Sequence, residues 1–351
     1  MPTFRAIALA ALVVAMTLLA TAALLAVGGY DVRTALGALW TGSLGSWYAL
    51  TSATLVRSIP LMLSGCAVAI AFRAGVFNIG AEGQLLAGAA AATAVALAIP
   101  ALGVIALALA LVAGAAGGAG WAGIAAVLRR RFGVLEVIST IMLNFVALYA
   151  VSYLVRGPLQ EPTHAYPQTL AIAEGVRLAQ LPGAGRLHIG IVLALAVVAV
   201  AGWMLRHTAG GFRLRVVGES PTAAATAGEI DVGGVTTRAF LVSGALAGLA
   251  GAVEVAGVTY ALYENISPGY GYTAIAVALL AGLDPWRVVP AAVLFAALEA
   301  GAGAMQRDAA VPSTLVSVVE ALLILSVVGA QAMRRRSLGG AAVGSTAAGA
   351  T

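Results

Sequence analysis

The sequence predicts an all-α protein, a polytopic bundle of transmembrane helices, and three observations support that prediction. Hydrophobic residues make up 61% of the 351 residues and charged residues only 9%, whereas a soluble domain carries about 25% charged residues. The mean hydropathy is +1.00. The apolar residues also fall into runs long enough to cross a bilayer, which takes about 20 residues. Membrane lipid is therefore the expected surrounding of this chain, and nucleic acid is not an expected partner.

The composition also excludes several kinds of catalysis. All 19 basic residues are arginine, so the chain lacks the lysine of a nucleotide-binding P-loop and the amine needed for a Schiff base. Cys66 is the only cysteine, and the three histidines are scattered, which gives no zinc-ligand spacing. We therefore expect no enzyme activity, and no catalytic residue, cofactor site or metal site in this chain.

The apolar runs predict about ten spans. Their approximate positions are 6–27, 50–72, 79–99, 102–128, 134–155, 188–205, 239–261, 270–283, 288–305 and 313–333. Residues 1–336 form the predicted membrane domain, and the uncharged residues 337–351 are predicted to be a disordered cytoplasmic tail.

The arginines predict the orientation. With the amino terminus in the cytoplasm, ten spans leave only six of the 19 arginines outside, and the other 13 inside. The six are Arg33, Arg57, Arg156, Arg177, Arg186 and Arg307. The positive-inside rule therefore favours two cytoplasmic termini. It also places the proline-rich loop 156–187 outside, where we expect it to be irregular and exposed.

Small residues recur at a spacing of four in two apolar segments, at Gly114 and Gly118 and again at Gly244 and Gly248. This spacing lets helix backbones approach closely in lipid. It predicts packing within one bundle, and a dimer face is the alternative.

The segment FRAGVFNIGAEGQ, residues 72–84, interrupts the apolar pattern between the second and third spans. Polar groups at membrane depth usually face a cavity or a protein interior, and a broken helix frees backbone groups for a polar ligand. We expect Phe77, Asn78, Glu82 and Gln84 to line a substrate path. The alternative is a cytoplasmic turn in which Asn78 and Glu82 cap the third helix.

The fifth span carries a polar stripe of Glu136, Thr140 and Asn144 at i, i+4 spacing. The stripe predicts a second lining of the path, and an interhelical hydrogen-bond seam is the alternative. Single acids on other apolar helices are expected to be paired or protonated structural groups. They are Glu254, Glu299 and Glu320.

The eighth predicted span is short and opens with the Gly/Pro-containing segment 267–273. Its position corresponds to that of the segment 72–84 in the first half, which predicts an inverted repeat around a midplane site. Tyr270 and Tyr272 could stack on a sugar or a base there, and an interfacial aromatic belt is the alternative.

The largest inner loop, residues 206–238, contains a short predicted helix over 222–227. Ser220 suits the N-cap, Pro221 the first turn and Gly228 the C-terminal stop. Two turns are too short to be stable alone, so we expect this helix to dock on a cytoplasmic partner. A solvated turn is the alternative.

Three stretches resemble the permease subunits of ABC importers of the branched-chain amino acid, ribose and nucleoside superfamily, in particular the longer permease of purine-nucleoside (simple-sugar type) importers. They are residues 72–84, EVISTIMLN at 136–144, and VGESPTAAATAG at 217–228 followed by FLVSGALAGLAG at 240–251. The resemblance implies that 219–228 is the segment that couples to the ATPase. The residues assigned to coupling are Gly218, Glu219, Ser220, Pro221, Ala223, Ala224, Ala225 and Gly228.

The resemblance further implies three partners: a cytoplasmic tandem-domain ABC ATPase that binds ATP–Mg, a second, non-identical permease, and an extracytoplasmic solute-binding lipoprotein. The family commonly has Asn where this chain has Ser220, and both residues cap a helix. The sequence thus predicts an import permease for nucleosides or related sugars in a bacterial cytoplasmic (inner) membrane. The alternative is a proton- or ion-coupled secondary transporter of a small polar solute.

Overall fold

The computed structural model describes residues 15–16, 19–226, 230–312, 314–315, 318, 321–322 and 325–326. Within these residues the regular secondary structure is helical, and only isolated β-bridges accompany it. Residues 19–27 are helical. The helices that follow are α1 (Val32–Ser43), α2 (Trp47–Arg73), α3 (Ala81–Ala98), α4 (Val104–Phe132), α5 (Glu136–Arg156), α6 (Gly190–His207), α7 (Ala209–Glu219), α8 (Pro221–Thr226), α9 (Val232–Thr259), α10 (Tyr270–Leu280) and α11 (Pro285–Asp308).

Seven helices among the described residues are long and apolar enough to span a membrane, namely α2, α3, α4, α5, α6, α9 and α11. Each matches a predicted span within a few residues, except that α9 begins seven residues earlier than expected, at Val232. The eighth predicted span is α10, whose 11 residues cover about 16 Å at 1.5 Å per residue, half of the hydrocarbon core. Half of the predicted span 6–27 and most of the predicted span 313–333 lie outside the described residues. Ten spans, cytoplasmic termini and an inverted repeat therefore stay predictions.

The structure also contains α1, a helix that the span analysis did not predict. Asp31 caps it, because its Oδ1 accepts the amides of Arg33 at 2.9 Å and Thr34 at 3.3 Å. The Thr34 hydroxyl donates to Oδ2 at 2.7 Å. These bonds to the carboxylate hold the pKa of Asp31 below its ordinary value. A search for N-caps rather than for apolar runs would have found this helix.

The chain divides into two compact units, one of residues 50–297 and one of residues 1–49 with 298–351. In the second of these, α1 packs on residues 298–308 of α11, where Gly42 lies against Ala304 and Gly301 against Leu39. The candidate site lies wholly within residues 50–297.

Three helices of the larger unit, α3, α4 and α9, touch through glycines. A methyl group on Gly118 would lie closer than 3.0 Å to the backbone of Gly248, and one on Gly248 would meet the backbone of Gly114. Gly88 of α3 also faces Gly248. The prediction that these glycines pack within one bundle is confirmed, and the close approach replaces side-chain volume with backbone contact.

The prediction of an exposed loop at 156–187 is wrong in part. The loop is irregular, but Ile172 and Val176 are buried, and its backbone pairs with the end of α9. The amide of Ile172 donates to the carbonyl of Tyr260 at 2.8 Å, and that of Leu178 to Ala256 at 2.9 Å. The last turns of α9, Val255–Thr259, are π-helical. Backbone groups near a helix end need partners outside the helix, and the loop supplies them.

Candidate functional site

The connection between α2 and α3 is the irregular segment that the glycines predicted. Helix α2 ends at Arg73, Gly75 has a φ of +71°, and α3 begins only at Ala81. Asn78 therefore lies in non-helical backbone, yet its side chain is fully buried. The capping alternative is not observed, because the N-cap of α3 is Gly80, which has no side chain with which to cap the helix.

Asn78 is the centre of a closed hydrogen-bond network. Its Nδ2 donates to Gln84 Oε1 at 3.0 Å, and Gln84 Nε2 donates back to Asn78 Oδ1 at 2.9 Å. Nδ2 also donates to Ser243 Oγ on α9 at 2.9 Å, and Oδ1 accepts the amide of Gly80 at 2.9 Å. The carboxamide thus uses two donors and two acceptor positions, all that it has.

Asn144 ties α5 to the same segment. Its Oδ1 accepts the amide of Gly83 at 2.8 Å, while Nδ2 donates to the carbonyl of Ile79 at 3.0 Å and to Tyr272 Oη at 3.3 Å. Thr140, one turn earlier, accepts the amide of Ile79 at 3.3 Å. Thr140 and Asn144 therefore bond the backbone groups of the non-helical Ile79 and of Gly83 in the first turn of α3, which lack helical partners.

Glu82 joins the start of α3 to the start of α10. Its Oε2 accepts the amide of Gly271 at 2.7 Å, and Ser267 also bonds to the carboxylate. A carboxylate at a helix N-terminus satisfies an amide without an intrahelical partner and is favoured by the helix dipole. Gly271 is required there, because a methyl group on it would lie closer than 3.0 Å to the Glu82 backbone.

The remaining predicted path residues lie at the edge of this network or outside it. Phe77 is 55% exposed and packs edge-on against Phe72, with ring centroids 5.4 Å apart. Tyr272 is 45% exposed, whereas Tyr270 is buried. The Glu136 carboxylate lies 3.5 Å from Arg129 Nη1 in the last turn of α4.

Sequence reasoning missed two members of the site, Ser243 and Ser267. Ser243 is fully buried and accepts from Asn78. Ser267 accepts the amides of Gly269 and Tyr270, each at 3.1 Å, at the start of α10. A single serine within the apolar run of α9 was the available signal, since buried hydroxyls in spans need a partner.

The single acids on the other apolar helices have different surroundings. Glu254 is buried on α9, where Arg57 and Arg186 act on it electrostatically. Glu299 lies on α11, and Glu320 lies outside the described residues.

The described residues of the loop 206–238, which was predicted to lie inside, form two helices rather than one. Helix α7 was not predicted and begins at a Thr208 cap, whose Oγ1 accepts the amide of Gly211 at 3.1 Å. The predicted short helix is α8, and the Ser220 hydroxyl caps it by accepting the amide of Ala223 at 3.2 Å. Ala224 is the only buried residue of α8. Exposed neighbours along this segment are Glu219, Pro221, Ala223 and Ala225; Gly228 lies outside the described residues.

Apolar spans, a helix broken at a buried polar network, and a small exposed helix between two spans define a multi-pass membrane permease. The chain belongs to the family described as "Branched-chain amino acid transport system / permease component", whose model matches residues 50–328. It is thus a permease of the ABC transporter class, as the motifs predicted.

Relatives named for different solutes resemble the chain to a similar degree. A glucose ABC transporter permease protein of Haloferax volcanii is 37% identical over 90% of this chain and 87% of its own length. A guanosine ABC transporter permease protein of Bacillus subtilis is 39% identical over 90% of this chain and 91% of its own length. A nucleoside ABC transporter permease protein of Lactococcus lactis is 30% identical, with coverages of 82% and 80%. No solved structure matches the chain.

Proposed function

We propose that this chain is a permease subunit of an ATP-driven importer for nucleosides or related sugars in a bacterial cytoplasmic membrane. The observation that carries the proposal is the Asn78 network, defined as Asn78, Gln84, Asn144, Thr140 and Ser243. These neutral groups come from the α2–α3 connection, α3, α5 and α9, and Asn144 also reaches Tyr272 of α10. A movement of any of these helices therefore opens the network.

The chemistry of the network suits an uncharged polyhydroxy solute. Carboxamides and hydroxyls can exchange their bonds with one another for bonds to solute hydroxyls at little net cost, because each hydrogen bond is replaced by a similar one. The hydrogen bonds that join the network's described side chains are all made by neutral groups. The exposed rings of Phe77 and Tyr272 could stack on a sugar face or a base.

Helix α8 supports coupling to a separate ATPase. It has six residues, too few to be stable alone, and exposes most of its side chains. In the proposed importer, a tandem-domain ATPase binds α8 and a second permease completes the substrate path. A lipoprotein on the outer side of the membrane brings the solute to the permeases. Switching a two-state transporter from 1:99 to 99:1 takes about 5.5 kcal/mol, which ATP binding on the partner would supply.

Reconstitution tests the proposal. The importer, co-expressed from its native gene cluster and placed in proteoliposomes, should take up radiolabelled guanosine or glucose only with ATP, and a protonophore should not stop it. Glu219→Arg should abolish capture of the ATPase by the tagged permease, while Glu174→Arg, the same charge reversal in the outer loop, should not. ATP-independent uptake that a protonophore abolishes would instead establish the secondary transporter. Equal ATPase capture by both variants would remove α8 from the coupling role.

A further inference from the structure

Helix α7 touches the α2–α3 connection backbone to backbone. A methyl group on Gly218 would lie closer than 3.0 Å to the carbonyl of Arg73 and only 3.1 Å from the amide of Gly75. In the opposite direction, a methyl group on Gly75 would lie 3.4 Å from the Cα of Gly218. No side chain separates the two segments, so neither can shift without displacing the other.

The same helix also packs on α9. Leu214 is buried in one apolar cluster with Ala239 and Phe240 of α9 and with Val76 of the α2–α3 connection. Val217, the neighbour of Gly218, is fully buried as well. One face of α7 therefore rests on both segments that hold Asn78.

Both contacts involve residues that lie close in sequence to Asn78 or to its partner Ser243. Gly75 precedes Asn78 by three residues in the irregular connection, and Phe240 precedes Ser243, the partner of Asn78, by one helical turn. At this same C-terminal end α7 is joined directly to α8, since Glu219 ends one helix and Pro221 begins the next. Helix α8 is thus linked to Asn78 through the last turn of α7, and Gly218 is the point at which α7 contacts the α2–α3 connection.

We infer that Gly218 is a positioning residue that transmits displacement of α8 to the Asn78 network through its backbone contact with Arg73 and Gly75. The inference rests on the proposed function, since it needs a partner that moves α8. Because the contact is made by backbone atoms, it has no flexible side chain to absorb the movement. An added methyl group would force α7 away from the connection and break the transmission without touching α8 or the Asn78 network.

Gly218→Ala tests the inference, with Gly210→Ala as its matched control. Both changes add one methyl group to α7, but the nearest atom to a methyl on Gly210 is the Thr208 hydroxyl at 3.8 Å. The complete importer carrying Gly218→Ala should still assemble. Its solute-stimulated ATPase rate and its guanosine or glucose uptake should fall at least tenfold. Gly210→Ala should match the wild type in all three measurements.

The outcomes separate this inference from the proposed function. If the wild-type importer fails to couple ATP to uptake, the proposed function is wrong. If the wild type couples and Gly218→Ala behaves like Gly210→Ala, the inference alone is wrong.

If Gly218→Ala does not assemble, a second pair of variants tests the same contact from its other side. Gly75→Ala and Gly133→Ala place the same strain on backbones with φ of +71° and +65°, but nothing surrounds Gly133 within 4 Å. Gly75→Ala should lower uptake with the ATPase still bound, and Gly133→Ala should not. Equal uptake by these two variants would overturn the inference.

Discussion

The Asn78 network and helix α8 differ in where their order comes from. Asn78 is fully buried and bonded to groups from two helices and from its own segment, while α8 buries Ala224 and exposes its other residues. Burial and completed hydrogen bonds fix a conformation from within the chain. A six-residue helix with one buried methyl group has too little burial to fix its conformation in this way. The Asn78 network is therefore ordered by contacts within the chain, whereas α8 has few such contacts, as the proposed docking on a partner requires.

The largest effect should come from the tight helix contact that holds the network. Gly118→Ala places a methyl group against the backbone of Gly248, and such overpacking costs about 3 kcal/mol of unfolding free energy. Gly120→Ala on the same helix meets nothing within 4 Å and should cost less than about 0.5 kcal/mol. Denaturation in detergent micelles measures both. Equal unfolding free energies for the two variants would show that the contact between Gly118 and Gly248 does not stabilise the helices around the Asn78 network.

The second-largest effect should come from removing the side-chain carboxamide of Asn144. Asn144→Ala leaves the amide of Gly83 and the carbonyl of Ile79 without their side-chain partners, which costs about 1–3 kcal/mol. We expect at least tenfold slower guanosine or glucose uptake with assembly retained. Met142→Ala, at an exposed position of the same helix, is the control. Normal uptake kinetics for Asn144→Ala would remove it from the path.

Acid should destabilise the junction between the loop 156–187 and α6 by a smaller amount. His188 is fully buried, accepts the amide of Gly190 at 3.2 Å, and among the described residues has no partner for Nε2. Burial lowers its pKa to about 4, below the ordinary value of 6.5. Because the folded pKa is the lower one, the unfolded chain binds the proton first, and stability falls as pH drops from 6.5 towards 4.

The loss for His188 should reach about 2 kcal/mol at pH 5 relative to pH 8. Thermal unfolding at the two pH values measures it. His188→Gln cannot gain that proton, so its unfolding should depend less on pH. An identical pH dependence for the two proteins would show that another group is responsible.

The smallest effect tests α8 directly. In a Cys66→Ser background, Ala225→Cys should react with a membrane-impermeant maleimide from the inner side, and bound ATPase should slow the reaction about fivefold. Gln180→Cys, in the outer loop, should react from the outer side at a rate that the ATPase does not change. The reverse sidedness would overturn the predicted topology. A reaction of Ala225→Cys that bound ATPase leaves unchanged would show that α8 is not covered.

Apolar runs and helix-capping residues predicted much of the fold. The apolar runs predicted each of the seven long helices within a few residues, apart from the earlier start of α9, because lipid requires a helix of sufficient length with internal hydrogen bonds. The cap residues Ser220 and Pro221 gave α8 within one residue. The same reasoning missed α1 and α7, which are too short and too mixed in polarity to form an apolar run.

Residue type and position thus determined on their own that this chain is a helical permease, that its backbone is irregular near Asn78, and that a short helix interrupts the loop 206–238. Only the tertiary structure decided which groups meet: that Asn78 bonds Gln84 and Ser243, that Glu136 faces Arg129, and that Gly218 lies on Arg73. Local signals describe the backbone within a few residues. Partners 165 residues apart, as Asn78 and Ser243 are, are chosen by how whole helices pack.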